Sequence, residues 1–499
     1  MLLIKSVKVN IILINLQIKK KGVNESIKMK HPMGTYLISV TEFIEKFSYF
    51  IFAGTLVLFM NEVLHFSIHF SALLYGIIVS SCYFFQIISG YLTDVYLGNR
   101  KSVIVGGIIM IISQLIFTYD GSLYYLTESV PTHSTLLFSY PEIIFIIGVI
   151  FFSIGASFIK ISVTSFIGLF YEGKEELLDS AYTTFYMITN FGPLLAPIVL
   201  NIVVGIGYPH LYQYGFFIGA IILIIGLIIF ILFKDKYLVD AHGNAIGVNP
   251  ISEMIVEKIG DNPSRAKGGK LSKIEIDRIK VIFLILLVCT VFYCSLEQIL
   301  TSLIVIAMHY VNNTIPFTSY TVAPQIYVSL NAIAVIILSP IFLKLIPKLA
   351  ERNKEPSSLG KLGIGTFFLT LAYACLLLPA LVSSEKINMG WMVLFNFFLS
   401  AGEIFIIPIG LSLISKLSPV RYRSLMMGVM FTATAIAEIF SGVLASAVPL
   451  PNKSTYLFGI IQITNLPSFI CVFIFLTGIT GILWFLFKNR IQKLMHDIE

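Results

Sequence analysis

Twelve long runs of apolar residues, each about 20 residues in length, follow one another along this 499-residue chain. An α-helix needs roughly 20 residues to cross a hydrocarbon layer of about 30 Å, so each run predicts one transmembrane helix. A transmembrane β-barrel would instead show alternating polarity in segments of about ten residues, which this chain lacks. The predicted helices cover residues 37–60, 70–93, 102–119, 143–169, 181–204, 213–233, 281–307, 322–347, 362–382, 390–413, 424–447 and 466–487.

A polar stretch at 235–279 separates the first six predicted helices from the last six. Within it, residues 251–259 predict a short amphipathic helix, and Ser272 with Glu275 has the spacing of a capping box that begins helix seven. The sequence therefore predicts an all-α membrane protein with two six-helix bundles, which is the outline of the major facilitator fold. The predicted divisions are a tail at 1–33, a bundle at 34–234, a linker at 235–279, a second bundle at 280–488 and a tail at 489–499.

Composition supports a membrane protein and excludes several other classes. Hydrophobic residues make up 57% of the chain and charged residues only 12%, with a mean hydropathy of +0.89. The net charge of +7 comes from basic residues in short loops, so we expect no nucleic-acid partner. The five cysteines all lie in apolar runs without metal-ligand spacing, which predicts neither a disulfide framework nor a metal site.

The basic residues predict the orientation of the chain. Of the 34 lysines and arginines, 30 fall in the two tails and in the loops that would share their side of the membrane. By the positive-inside rule, both termini are expected in the cytoplasm. We expect a multi-pass protein of the plasma membrane, or of the inner membrane if the source is a bacterium.

Several charged residues lie inside the predicted helices, where an ionised side chain costs roughly 2.5–3.5 kcal/mol at the bilayer centre. In helix one, the spacing of three, four and seven positions predicts one polar helical face formed by Glu42, Glu45, Lys46 and Tyr49. Such residues are expected either to line a watery path or to form a structural network of ion pairs. The full set is Glu42, Glu45, Lys46, Lys160, Glu297, Glu403 and Glu438.

The signs of these charges favour a particular solute. The two lysines and two glutamates of the first half sum to zero, whereas the three glutamates of the second half give a charge of −3. A substrate with a carboxylate at one end and an ammonium group at the other would be oriented by this difference. Buried carboxyls beside lysines are also suited to bind and release protons, so protons are the expected coupling ion, with no organic cofactor or metal.

Motifs along residues 31–488 resemble those of the proton-coupled oligopeptide transporters. His31-Pro32 and the segment Glu42–Tyr49 resemble the family's helix-one signature, ExxERFxYYG. Phe185-Tyr186-Met-Ile-Thr-Asn190-Phe-Gly192 resembles the helix-five motif FYxxINxG. Further matches, in the family's order, are Gly90–Asp94, Gly98–Lys101, Gly155–Lys160, Glu297-Gln298, Ser329–Asn331 and Gly402-Glu403.

This resemblance implies roles for individual residues. Lys46 and Lys160 would bind the peptide's terminal carboxylate and Glu403 its terminal amine. Asn190 and Asn331 would bond the peptide backbone, with interhelical hydrogen bonds as the alternative, and Tyr49 and Tyr83 would either contact the substrate or pack. The remaining assignments are proton coupling by Glu42, Glu45 and Glu297, and a structural salt bridge and helix-end contact, broken in another conformer, by Asp94 and Arg100.

The chain departs from the family pattern at the candidate pocket. Lys46 stands where the family has arginine, which loses the planar two-pronged grip on a carboxylate. Ala53 stands where the family often has a second arginine paired with the helix-seven glutamate. Glu438 stands where an asparagine is common.

The sequence predicts a secondary transporter that moves di- and tripeptides with protons by alternating access, and not an enzyme. Two alternatives remain open at this stage. The same fold would serve another zwitterionic or anionic solute, such as an amino acid, nitrate or a peptide-like metabolite, or the chain would be a peptide receptor without transport. Small peptides and the lipid bilayer are the expected partners, and no obligatory protein partner is indicated.

Overall fold

The computed structural model describes residues 31–66, 68–127, 140–171, 174–203, 211–240, 243–250, 271–315, 317–319, 326–382, 386–451 and 454–496. Long helices dominate this part of the chain. They are α1 (Met33–Leu58), α2 (Ile68–Leu92), α3 (Asn99–Thr127), α4 (Tyr140–Phe170), α5 (Leu178–Thr189), α6 (Phe191–Val203), α7 (Tyr212–Tyr237), α8 (Lys273–Leu296), α9 (Ser302–Tyr310), α10 (Ile326–Glu351), α11 (Ser358–Val382), α12 (Met389–Leu417), α13 (Arg423–Ser446) and α14 (Leu466–Leu494).

Twelve crossings of the membrane are built from these fourteen helices. Helices α5 and α6 together form one crossing, and α8 forms another with the 3₁₀ turn Glu297–Leu300 and α9. By length and composition, eleven of the crossings qualify as membrane-spanning helices. Helix α1 is long enough but more polar, because any 18 consecutive residues of it include the three charged residues Glu42, Glu45 and Lys46. The predicted twelve-helix, all-α fold is confirmed. Residues 1–30 of the predicted tail at 1–33, and the predicted amphipathic helix at 251–259, lie outside the described residues.

Helix ends follow local sequence signals. The capping box predicted before α8 is present, because the Ser272 side chain accepts from the Glu275 amide and the Glu275 side chain accepts from the Ser272 amide. Two short strand pairs lie on the side away from the chain termini, one between two loops and one as a hairpin within a single loop. These are β1 (Val311–Asn312) with β2 (Ile387–Asn388), and β3 (Thr455–Leu457) with β4 (Ile461–Ile463).

The two halves of the molecule meet along α2 and α13 on one flank, and along α5, α6, α10 and α12 on the other. Glycines allow the backbones of α2 and α13 to approach closely. A Cβ atom at Gly90 would lie 2.7 Å from the Ser424 carbonyl oxygen, and one at Gly428 would lie 2.5 Å from that of Gln86. Small residues at such crossings let membrane helices pack backbone to backbone.

Because the number of crossings is even, Met33 and Leu494 lie on the same membrane side, which we call the terminal side. Hydrogen bonds join the two halves there. The Asp94 carboxylate accepts from the backbone N–H of Leu425 at 2.9 Å, at the start of α13, and Ser424 bonds Ser165 at 2.9 Å. The halves are therefore held together at the terminal side, below the midplane of the bundle.

Candidate functional site

A cavity of ≈ 170 Å³ lies between the two halves near the middle of the helices. Both halves supply its walls, so any change in how they pack changes its shape. It is bordered by nine of the residues singled out from the sequence, namely Glu42, Lys46, Tyr49, Tyr83, Lys160, Asn190, Glu297, Asn331 and Glu403.

The two lysines of the cavity rest on aromatic rings. Lys160 Nζ lies 4.7 Å from the ring centre of Tyr83 and 5.3 Å from that of Tyr49. Lys46 Nζ lies 5.1 Å from the ring centre of Tyr186 and donates a hydrogen bond of 3.2 Å to Thr189 Oγ1. Within the described part of the chain, neither ammonium group forms an ion pair. Both cations are thus positioned to accept a carboxylate from elsewhere.

Glu403 faces the lysines from the second half and is 3% exposed. It accepts a hydrogen bond from the Tyr186 hydroxyl, which belongs to the first half, and one of 2.8 Å from Asn331 Nδ2. Asn331 also donates to Ser400 Oγ at 3.0 Å. Neutral partners hold this carboxyl group in place without an ion pair, so it keeps the capacity to bind a cation.

Glu42 and Glu45 are both 1% exposed, and several of their oxygen atoms lack a hydrogen-bond partner in the structure. Glu42 borders the cavity, whereas Glu45 is buried beside it and does not. Unpartnered buried carboxyl oxygens are costly when ionised. This arrangement suits carboxyl groups that carry a proton while the lysines are turned to the aromatic rings.

Asn190 marks a break between α5 and α6. Its side-chain Nδ2 donates to the Tyr186 carbonyl oxygen at 2.8 Å, which is the local bond of a residue at a helix end. Asn190 also borders the cavity. The break therefore brings polar backbone and amide groups to the cavity wall, where irregular backbone in a membrane protein is tolerated.

A similar break places Glu297 at the cavity. Helix α8 ends at Leu296, and the 3₁₀ turn that follows begins with Glu297, which borders the cavity from the second half. Glu438 of α13 does not border the cavity itself. Five of the seven charged residues found inside the predicted helices thus line one cavity, and Glu45 and Glu438 lie next to it.

Asp94 and Arg100 do not form the salt bridge that the motif suggested between them. Asp94 makes its helix-end contact with Leu425 across the two halves, while Arg100 Nη1 lies 2.6 Å from Asp235. Arg100 also donates to the carbonyl oxygens of Ile246 and Leu238, at 2.7 and 2.5 Å. Its guanidinium faces the end of α7 and the chain after it, because these carbonyls supply the acceptors it needs when buried.

An ion cluster that the sequence did not reveal joins the halves at the terminal side. Asp179, at the start of α5, lies 2.7 Å from Lys361 Nζ and 3.2 Å from Lys416 Nζ, and it accepts a 2.5 Å hydrogen bond from Ser412. Lys361 also pairs with Glu355 at 2.8 Å. We call Asp179, Lys361, Lys416 and Ser412 the terminal-side latch. Its only sequence signal is a charged residue at each of three helix ends, which is ordinary for surface loops.

A second cavity, of ≈ 630 Å³, lies beside this latch and is bordered by His31 and Tyr171. His31 Nδ1 lies 2.6 Å from the Tyr171 hydroxyl, which also contacts Thr35. Burial lowers the pKa of His31 and raises the pKa of Tyr171 to about 12, since it disfavours the charged form of each. Both groups are therefore neutral near pH 7, and they join the start of α1 to the end of α4.

The described residues contain no group of three or more His, Cys, Asp or Glu side chains arranged to hold a metal ion. What the central cavity offers is opposite charge at its two walls. Lys46 and Lys160 come from the first half, and Glu403 comes from the second. This geometry suits a small zwitterion held across the boundary between the halves.

Comparisons with known proteins agree with the motifs. The family model described as the POT family matches residues 100–246 and 250–463. The transporter YclF of Bacillus subtilis is 25% identical, over 87% of this chain and 92% of that protein. A di-/tripeptide transporter of Lactococcus lactis is 24% identical, over 94% of this chain and 97% of that protein.

Solved structures show the same fold. A crystal structure of a peptide transporter POT in complex with sulfate superposes with a TM-score of 0.65 at 20% identity, covering 93% of this chain and 96% of that one. A POT family transporter in complex with a thioalcohol-conjugated peptide gives a TM-score of 0.66 at 19% identity, covering 92% and 97%. Because the family model matches well over half of the chain, and the motifs and fold agree with it, the chain belongs to the POT family.

Proposed function

We propose that this protein is a secondary transporter that carries di- and tripeptides across the membrane together with protons, by alternating access. The observation that supports this most directly is the placement of Lys46 and Lys160 opposite Glu403 in one cavity between the halves. A peptide's terminal carboxylate would displace the aromatic rings from the lysine cations, and its terminal ammonium would bind Glu403. The named peptide transporters of Lactococcus and Yersinia among the relatives support the same substrate class.

Proton coupling would begin at the first helix. In the proposed cycle, Glu42 and Glu45 take up protons, which removes their attraction for Lys46 and Lys160 and leaves the cations to the substrate. Peptide binding then bridges the two halves and favours closure around the cavity. After the cavity opens to the other side, loss of the protons returns the carboxylates to the lysines and expels the peptide carboxylate.

We further propose that the terminal side is cytoplasmic and that the protein resides in the plasma membrane, or in the inner membrane of a bacterium. The support is the excess of lysine and arginine in the tails and loops of that side. Uptake would then run from the opposite side, with the proton gradient directed inward.

Uptake of labelled dialanine into proteoliposomes under an inward proton gradient tests this function. We expect wild-type protein to concentrate the peptide and Lys160→Ala to lose both driven uptake and peptide counterflow, because the buried carboxylate of the substrate then lacks its cation. Lys273→Ala, an exposed lysine at the start of α8, is the matched control and is expected to transport normally.

Three outcomes would contradict the proposal. Wild-type uptake that ignores the gradient would remove proton symport. Saturable binding of dialanine without uptake would favour a receptor. Normal transport by Lys160→Ala would remove this lysine from substrate binding.

A further inference from the structure

Glu438 lies on the side of α13 that faces the cavity, although no motif assigns it a role. Phe431 and Thr434, seven and four positions earlier on the same helix, both border the cavity. Residues separated by four and seven positions share one helical face. Glu438 therefore continues the cavity-facing stripe by one turn toward the side away from the termini.

Hydrogen bonds bring this part of α13 to the helix break that carries Glu297. Ser441, three residues after Glu438, accepts a 3.2 Å hydrogen bond from Gln298 Nε2, and its hydroxyl lies 3.4 Å from that of Thr301. Gln298 directly follows Glu297, which borders the cavity. The two carboxyl groups are consequently held in the same region of the second half, within electrostatic range of each other.

Several titratable groups face this pair from the surrounding helices, and one of them is a cation. The groups are Tyr49 of α1, Tyr75 and Tyr83 of α2, Lys160 of α4, Tyr293 and Cys294 of α8, and Glu403 of α12. Lys160 is 8% exposed and, in the part of the chain that the structure describes, forms no ion pair. Its ammonium group lies over Tyr83 and, at 5.8 Å, over Phe431. The Lys160 ammonium group thus interacts electrostatically with both Glu297 and Glu438, and with Glu42 as well.

We propose that Glu438 and Glu297 form an acid pair that holds one proton on the second half and releases it during the transport cycle. This step rests on the proposed function and adds to the protons taken by helix one. Two carboxylates close together in a poorly hydrated site do not both ionise, and they titrate as a pair. The proton enters from water on the side away from the termini and leaves to water on the terminal side.

The substrate would control this proton through Lys160. While the peptide carboxylate is paired with the Lys160 ammonium group, the positive charge of Lys160 is neutralised and no longer favours ionisation of Glu438 and Glu297. The pair therefore keeps its proton. When the peptide leaves, Lys160 again attracts the pair and the proton is released. More than one proton would then move with each peptide.

The number of protons carried per peptide tests this role. It is measured from the membrane potential at which dialanine flux in proteoliposomes reverses under a fixed pH difference. We expect Glu438→Gln to lower the ratio by about one proton per peptide, since the pair then loses its shared site. Glu438→Asp should restore the ratio, and Glu351→Gln, an exposed acid at the end of α10, should leave it unchanged. An unaltered ratio in Glu438→Gln would overturn the proposal.

A measurement without substrate separates this inference from the proposed function. Infrared difference spectra of the purified protein across a pH titration report protonated carboxyl groups by their C=O stretch. We expect Glu438→Gln and Glu297→Gln each to remove the same band, because the proton is shared. If this band persists in either variant, the acid pair is refuted. If the band behaves as expected but wild-type protein transports no dialanine, the proposed function fails and the acid pair stands.

Discussion

The ammonium group of each cavity lysine is held weakly enough to form an ion pair with a substrate carboxylate. A cation–π contact stabilises a cation by about 0.5–2 kcal/mol. Removing one member of a buried ion pair, in contrast, typically destabilises a protein by roughly 3–5 kcal/mol. Lys160 over Tyr83 and Lys46 over Tyr186 therefore keep defined positions without being neutralised. An incoming carboxylate can therefore displace the rings without first breaking an ion pair.

Glu403→Gln is expected to remove recognition of the peptide's amino end alone. The variant keeps the size of the side chain and a carbonyl acceptor, but it has no charge to pair with an ammonium group. Truncating one partner of such a buried charge pair costs about 2–5 kcal/mol, which corresponds to roughly 30-fold weaker binding or more. The affinity of each variant is measured by competition of unlabelled dialanine, and of N-acetyl-dialanine, against a labelled peptide.

The comparison between the two competitors decides the result. Dialanine should lose affinity in Glu403→Gln, while N-acetyl-dialanine, which lacks the charge, should bind about equally to the variant and the wild type. An equal loss for both peptides would show that Glu403 acts through Tyr186 and Asn331 instead of through the substrate amine.

Sequence spacing predicted most of the cavity-facing residues of helix one. Glu42, Lys46 and Tyr49 lie within one narrow face of α1 and border the cavity. Glu45 was grouped with them, but at 100° per residue it lies about 60° from Glu42, at the edge of that face. It is buried beside the cavity instead, which a helical repeat alone does not reveal because it depends on where the neighbouring helices pack.

Most helix ends were predicted within about four residues, but the breaks inside the crossings were not. Three ends differ more: α3 continues past 119 to Thr127, α8 begins at Lys273 instead of 281, and α14 continues past 487 to Leu494. The apolar run at 181–204 was predicted as one helix, although Gly192-Pro193 directly after Asn190 is a local signal for the break between α5 and α6. The run at 281–307 passes through the 3₁₀ turn at Glu297–Leu300. Hydropathy measures only which residues tolerate lipid. The break at Asn190 also depends on tertiary packing, since its side-chain amide only adds a second hydrogen bond to the Tyr186 carbonyl, which already accepts the Asn190 backbone N–H.

Arg100→Ala is expected to destabilise the protein without removing transport from the molecules that fold. The arginine satisfies the carbonyl oxygens of Leu238 and Ile246 and pairs with Asp235. The Leu238 carbonyl keeps its bond from the Ile246 N–H, but the Ile246 carbonyl loses the arginine as its donor, and an unpartnered buried carbonyl costs about 1–3 kcal/mol. Thermal unfolding of the solubilised protein measures the loss, and dialanine counterflow per folded molecule measures transport.

Its neighbour Lys101 provides the control for this element. Lys101 is exposed, so Lys101→Ala should change neither unfolding nor counterflow. If Arg100→Ala unfolds at the wild-type temperature but loses counterflow per folded molecule, Arg100 gates the transport cycle and the structural role is wrong.

The largest gap between sequence and structure concerns how the two halves meet. Counting the charges inside the predicted helices gave a sum of zero for the first half and −3 for the second, which predicted the difference in charge between the halves. It did not predict the terminal-side latch, whose members Asp179 and Lys416 are 237 positions apart. A charge at a helix end is ordinary, and only the packing of one half against the other turns three of them into a buried cluster.

The terminal-side latch must open for a peptide to leave on that side. Asp179 belongs to the first half, and Lys361, Lys416 and Ser412 belong to the second, so separation of the helix ends breaks all of these contacts.

We expect the double variant Asp179→Cys with Ser412→Cys to form a disulfide under oxidation and to lose dialanine uptake, because the two halves then cannot part. A reductant should restore uptake to the level of the unoxidised double variant, and each single variant treated with oxidant is the control. The native cysteines are free and four of the five are buried, which limits competing disulfides. Full uptake by the oxidised, cross-linked protein would show that transport proceeds without opening at this point and that the path to the terminal side lies elsewhere.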